Sequence, residues 1–245
     1  MKIIAFVLCI GISSAGFAQH DTDPKDRKDR REWMKAHMPY MSRTIGVSFQ
    51  SMDGLNARVA NLPQYKQLRD YTATIGLGWL QEHKQFITAA AITLGSSMSG
   101  HKSEKSSTIR YIAANFDLGY DVIKSDRILL YPFAGLGGQA YQALFYKDNT
   151  GVNFNDLLTI PATQNNISSV KFRNGYAVYR FGLGFSVKAP HYPASIGIQA
   201  GYTGSFRKNA WRSNENQELA NAPADRISQF YISLVLMSKP MFMMK

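Results

Sequence analysis

Few side chains in this 245-residue sequence stand where they could do chemistry. The five histidines are His20, His37, His83, His101 and His191. Only His101 falls on the predicted outer side, with a serine two residues behind it in Gly100-His101-Lys102-Ser103-Glu104. On a strand that spacing would point nucleophile and base the same way, but the segment reads as a charged loop where the geometry is lost. Cys9 is the single cysteine and lies in an apolar N-terminal run, so the rest of the chain has no thiol for a disulfide or a thiolate nucleophile. There is no HExxH, no paired His/Cys spacing, no acidic calcium loop and no glycine-rich loop opening a helix. The sequence therefore nominates no catalytic, cofactor-binding or metal-ligating residue. What remains is a polar set, Asn115, Asp117, Asp121, Gln139, Arg180 and Gln199, embedded in otherwise apolar alternating segments. The expectation is an interior hydrogen-bond and ion-pair network, with Asp117 or Asp121 as the partner of Arg180, because polar groups sealed from water must satisfy one another.

The elements that position this set are strands. Tyr179, Phe181, Leu183, Phe185 and Val187 alternate with Arg180, Gly182, Gly184, Ser186 and Lys188, and the pattern restarts at Ile196, Ile198, Ala200 and Tyr202. Large apolar residues on one face with small or polar ones on the other is the inverse of a water-soluble barrel and suits one whose outside touches lipid. Further strands are predicted at Ser42–Met52, Tyr71–Gln81, Gln85–Met98, Ser107–Val122, Ile128–Phe145 and Arg226–Ser238, with Pro132 near a strand start or at a bulge. The connections alternate long and short. Long ones fall at Asp53–Asp70, Ser99–Lys105, Tyr146–Val170 and Gly204–Asp225, and short turns at Glu82–Lys84, Ile123–Arg127 and Ala189–Pro193. Even strand number, long outer loops and short periplasmic turns predict an all-β, eight-stranded antiparallel transmembrane up-and-down barrel. Its interior should be a packed core, since eight strands leave just enough room for side chains. The first long loop carries Leu55, Val59 and Leu62 at helical spacing and could form a short amphipathic helix; the fourth places Trp211 near its tip. Trp79, Tyr179 and Tyr202 are expected at the membrane surface or facing lipid.

Residues 1–18 read as a signal peptide, 19–40 as a charged periplasmic leader, and 41–245 as the barrel. The formal charge of +11 raises nucleic acid as a partner, but no basic stripe interleaved with stacking aromatics accompanies it. Outer-membrane lipid and lipopolysaccharide fit better, with an envelope protein as a further partner through the outer loops or the leader. Four stretches, Ile128–Gln139 (ILLYPFAGLGGQ), Tyr179–Phe185 (YRFGLGF), Ser195–Tyr202 (SIGIQAGY) and Leu219–Pro223, make the chain resemble the small outer-membrane β-barrel proteins of Bacteroidota, which share their general form with OmpA/OmpX-type barrels. The resemblance implies a place in the cell outer membrane and no catalytic residue. One departure is the end, where Phe242 is followed by Met243-Met244-Lys245 rather than closing the chain as an aromatic. The functional expectation is a structural or loop-mediated interaction role without catalysis. A small permeation barrel is the alternative, and an enzyme acting on outer-leaflet lipid the third reading.

Overall fold

The computed structural model describes residues 39–101, 104–159, 167–188, 194–213, 215 and 217–239. The expected signal peptide, nearly all of the leader, the turn at 189–193 with His191, Ser103 and the C-terminal 240–245 lie outside them. Eight long strands follow in order: β1 (Tyr40–Gln50), β2 (Tyr71–His83), β3 (Phe86–Gly100), β4 (Ser106–Tyr120), β5 (Ile128–Tyr146), β6 (Val170–Lys188), β7 (Ala194–Ser205) and, after three two-residue strands, β11 (Ser228–Ser238). The short ones are β8 (Asn209–Ala210), β9 (Arg212–Ser213) and β10 (Ala224–Asp225). Helix α1 (Asp53–Ala60) lies between β1 and β2, and α2 (Phe154–Thr159) between β5 and β6. Each long strand pairs antiparallel with its neighbours in sequence, and β1 pairs with β11, so the sheet closes and leaves no edge.

Strand tilt follows from the register. Cross-strand partners traced from Ile128 run through Val187, Ile196, Leu236, Arg43, Leu77, Ile92 and Ala114 to Gly138, on the strand where the trace began. One circuit thus climbs ten residues along β5 (138 − 128) toward the long loops. A stagger of that size tilts the strands by about 40° to the barrel axis. The outward residues form an apolar belt. Leu77 is 64% and Phe86 65% exposed, and Ile45, Leu136, Phe181 and Phe230 stand out with them. Such a continuous exposed apolar surface is stable only against lipid, and closed pairing satisfies every ladder bond where water is absent. The barrel spans the outer membrane.

The inside is less uniformly polar than alternation alone indicates. Two apolar clusters occupy the ends of the lumen. Tyr111, Tyr141, Phe145, Tyr176, Trp211 and Ile227 pack with Leu55 and Val59 at the long-loop end. Leu80, Ile87, Leu129, Tyr131, Phe133 and Met237 pack at the short-turn end. Inward glycines house some of these rings. A Cβ on Gly184 would fall 2.2 Å from Tyr131 Cζ, and one on Gly95 would fall 2.2 Å from Tyr111 Cε1. Pro132 is the fifth residue of β5, and the β4 ladder ends one residue short of it, at Gly119–Phe133. Two expectations are corrected. Leu62 is exposed and not part of the buried helix face. Trp211, 1% exposed, is no loop tip: its indole is buried over the barrel mouth, where the apolar cluster shields it.

Candidate functional site

Asp117 and Arg180 belong to strands that do not touch. Both are register partners of Gly135 on the strand between them. Because Gly135 has no side chain, the carboxylate and guanidinium meet across it, with Arg180 Nη1 and Asp117 Oδ2 3.1 Å apart. A Cβ on Gly135 would sit 2.1 Å from Asp117 Oδ1, so this spacing is available only to glycine. Arg180 Nη2 also donates to the Tyr231 hydroxyl at 2.7 Å, and its guanidinium lies over the rings of Tyr231 and Phe133. Gly137 repeats the device, its absent Cβ being filled by Asn115 Oδ1. Both flanking strands thus aim polar groups through glycine gaps in β5 into the lumen.

A second set of bonds runs above this pair. Gln50 Nε2 donates to Thr72 Oγ1 at 3.3 Å. The Tyr141 hydroxyl lies 2.8 Å from Gln50 Oε1 and 2.9 Å from Gln139 Oε1, donating to one at a time. Gln139 Nε2 donates to Gln229 Oε1, and Gln229 Nε2 to the Tyr111 hydroxyl, both at 3.2 Å. This chain ties β1, β2, β4, β5 and β11 together through the middle of the barrel. Gln199 lines the remaining cavity beside Arg180, and Asp121 takes a different place. It lies just past β4, 1% exposed, where its Oδ1 accepts the Ile123 amide at 3.1 Å and closes the short turn. Of the two candidates for Arg180, the structure pairs Asp117. At the short-turn end, Lys188 Nζ and Glu82 Oε2 form a second ion pair at 2.9 Å across the opening.

The long-loop end is closed by a clasp built on Asp225. Its Oδ1 accepts the Gly54 amide at 2.6 Å, and its Oδ2 accepts the Leu55 amide at 3.1 Å and the Trp211 indole N–H at 2.6 Å. Met52 stands at the N-cap of α1 and offers no side-chain acceptor, so a carboxylate 171 positions beyond Gly54 does that work. An anion on the free amides of a helix start is favourable both as a hydrogen-bond acceptor and as a charge against the helix dipole. Leu55 and Val59 then point down from α1 into the apolar cluster, and Leu68 joins them.

Chemically, this interior holds and seals. The cavity that Arg180 lines measures about 80 Å³, room for a few waters. Among the described residues no three His, Cys, Asp or Glu side chains are grouped to hold a metal ion. His101 is exposed beyond β3. The sequence missed Tyr231, Gln229 and the Asp225–Trp211 clasp; only the inward parity of Gln229 and Tyr231 on β11 could have placed the first two.

No family model and no curated protein matches the chain. Solved structures similar to it are outer-membrane barrels. Ail, the attachment invasion locus protein of Yersinia pestis, in complex with the heparin analogue sucrose octasulfate, shares 11% identity over 83% of this chain and 99% of its own, with a TM-score of 0.47. Neisserial surface protein A shares 8% over 84% and 97%, at 0.44. OprG from Pseudomonas aeruginosa shares 13% over 83% and 95%, at 0.43. The closed pairing and the lipid-facing belt of the chain itself make it an eight-stranded outer-membrane β-barrel.

Proposed function

We propose that this protein is a non-catalytic outer-membrane barrel of the small Bacteroidota kind, exported by the signal peptide at 1–18, which presents a braced outer surface to an envelope or external partner. The observation that supports this reading most is the clasp. A fold that spends a buried carboxylate, a tryptophan and a helix on closing its own mouth is built to display a surface rather than to pass solute. The interior polar groups Asp117, Gln139 and Arg180, with Asn115 and Gln199 beside them in the lumen, serve to hold the strands in register around a filled lumen, a use of buried ionic groups that trades stability for specificity.

Two measurements test it. In a planar bilayer the purified barrel should show no unitary conductance, and the Trp211→Ala variant little more, since the lower cluster still fills the lumen. Steady conductance by the unaltered protein would favour permeation instead. Photo-crosslinkers placed in the long loops of living cells should capture one macromolecular partner. Unchanged loops with a changed lipid A or phospholipid profile on overexpression would point to an enzyme.

A further inference from the structure

The outer wall over β4, β5 and β6 differs from the rest of the belt. Register pairing joins Arg110 to Gln142, Gln142 to Arg173, and Arg173 to Arg212. The three arginines are exposed on the outward face and Gln142 is half-buried between them. Two like charges directly opposite on a ladder repel. Among the described residues no carboxylate lies within ion-pair distance of Arg110 or Arg173, and the one contact of Arg212, with Glu218 at 3.5 Å, is between exposed groups. Exposed pairs of that kind contribute little.

Height matters as much as charge. Ile112, the next outward residue of β4 toward the bilayer, is a lipid-facing member of the belt. The arginines therefore occupy the seam between lipid and loops, the level at which long basic side chains reach headgroups.

Directly below the row the wall turns small. Ile112 is followed across the sheet by Ala140 and Gly175, and Ala114 by Gly138 and Ala177. These two glycines have no internal reason to be glycine. A Cβ on Gly138 would meet nothing nearer than 3.9 Å and one on Gly175 nothing nearer than 4.0 Å, unlike Gly135 or Gly184, where it would collide. Both are exposed, with ordinary strand backbone. A glycine that neither turns the chain nor makes room for a neighbour inside the protein marks a place where something approaches from outside. The result is a shallow trough between the larger Ile112 and Leu136 side chains, headed by a row of guanidinium groups.

We propose that this wall binds one anionic glycolipid of the outer leaflet, its phosphate held by Arg110, Arg173 and Arg212 and an acyl chain lying in the trough over Gly138 and Gly175. Guanidinium forks match phosphate oxygens bidentately, and the trough explains why the ligand is a lipid and not a soluble anion. The inference rests on the outer-membrane placement and is independent of what the loops recognise.

The test is native mass spectrometry of the full-length mature barrel in a neutral detergent, with bisphosphorylated lipid A, the same lipid dephosphorylated, and a soluble sulfated dextran fragment as probes. The unaltered barrel should retain a single phosphorylated lipid and release the dephosphorylated one. Removing both arginines in Arg110→Gln/Arg173→Gln should weaken retention by about a hundredfold, roughly tenfold for each charge-assisted contact. Gly138→Leu, which fills the trough without an internal clash, should also weaken it, while Arg43→Gln on the opposite wall should leave it unchanged. Equal retention of both lipids, or indifference to Gly138→Leu, overturns the proposal. Dextran binding that the arginines control and Gly138→Leu does not touch would assign the row to a sulfated sugar and overturn it too. Heat-dependent gel mobility reports folding, and Gly138→Leu keeps the test alive if the double variant does not fold. Extraction of the protein from membranes by carbonate would instead show that the barrel reading itself had failed.

Discussion

Among the described residues, helices α1 and α2 lie at the long-loop end of this barrel, and they have opposite relations to it. Helix α1 buries Leu55 and Val59 and has its first amides capped by Asp225. Helix α2 buries nothing: Phe154 is 70% and Leu158 73% exposed. Their sequences, DGLNARVA and FNDLLT, carry similar apolar content, so composition does not separate them. What separates them is a partner from a remote part of the chain. One loop is part of the lumen's packing, and the other is display surface.

The sharpest way to break that contrast is Asp225→Ala, which leaves three donors, two of them buried, without an acceptor. It should cost about 3–4 kcal/mol in urea unfolding of the barrel in lipid vesicles. A cost below 1 kcal/mol would mean that α1 is held by its apolar face alone. Leu55→Ala should cost about 2–4 kcal/mol through the cavity it leaves, whereas Leu158→Ala should stay within about 0.5 kcal/mol of zero. Equal effects would dissolve the distinction between the helices. Trp211→Phe keeps most of the ring and deletes the indole donor, so about 1–2 kcal/mol is expected. The smallest effect concerns the loop of α2, where the Thr150 hydroxyl and backbone amide hold the Asp148 carboxyl below its ordinary range. A depressed carboxyl supports its turn above the unfolded pKa and lets go as pH falls through the folded one. NMR titration of Thr150→Ala should show the Asp148 pKa rising toward the usual value, with the α1 amides as protected from exchange as before.

The interior supplies a second version of the contrast. Gly135→Ala should displace the Asp117 carboxylate and break its pair with Arg180, at about 3 kcal/mol or more, since one charge is then left buried alone. Gly138→Ala, three positions on and facing outward, should be close to neutral for stability. The two substitutions look identical in the run AGLGG.

That pair of glycines also shows how much was legible. The strands and the inside–outside parity could be read because period-two alternation is a local signal. Parity put Asp117, Asp121 and Arg180 on the inner face, yet could not choose between the two aspartates. The choice rests on Gly135 lying opposite both Asp117 and Arg180, which is register, and register is set by pairings between distant residues. Tyr131, Tyr141 and Tyr176 cannot be placed from sequence, because a tyrosine suits either a lipid interface or a packed lumen. Trp211 in a polar loop reads as exposed until Asp225, fourteen residues later in the chain, is placed against its indole N–H.

The position of Asp225 has a consequence for assembly. It lies just ahead of β11, the strand whose pairing with β1 turns an open sheet into a closed cylinder. Until that last strand docks, α1 has no acceptor for its leading amides and the upper aromatic cluster lacks Trp211 and Ile227. A chain stalled with seven strands inserted would still show an uncapped helix and bare rings at its mouth, and completing the seam removes both at once. Closure of the wall and closure of the mouth are therefore coupled through Asp225.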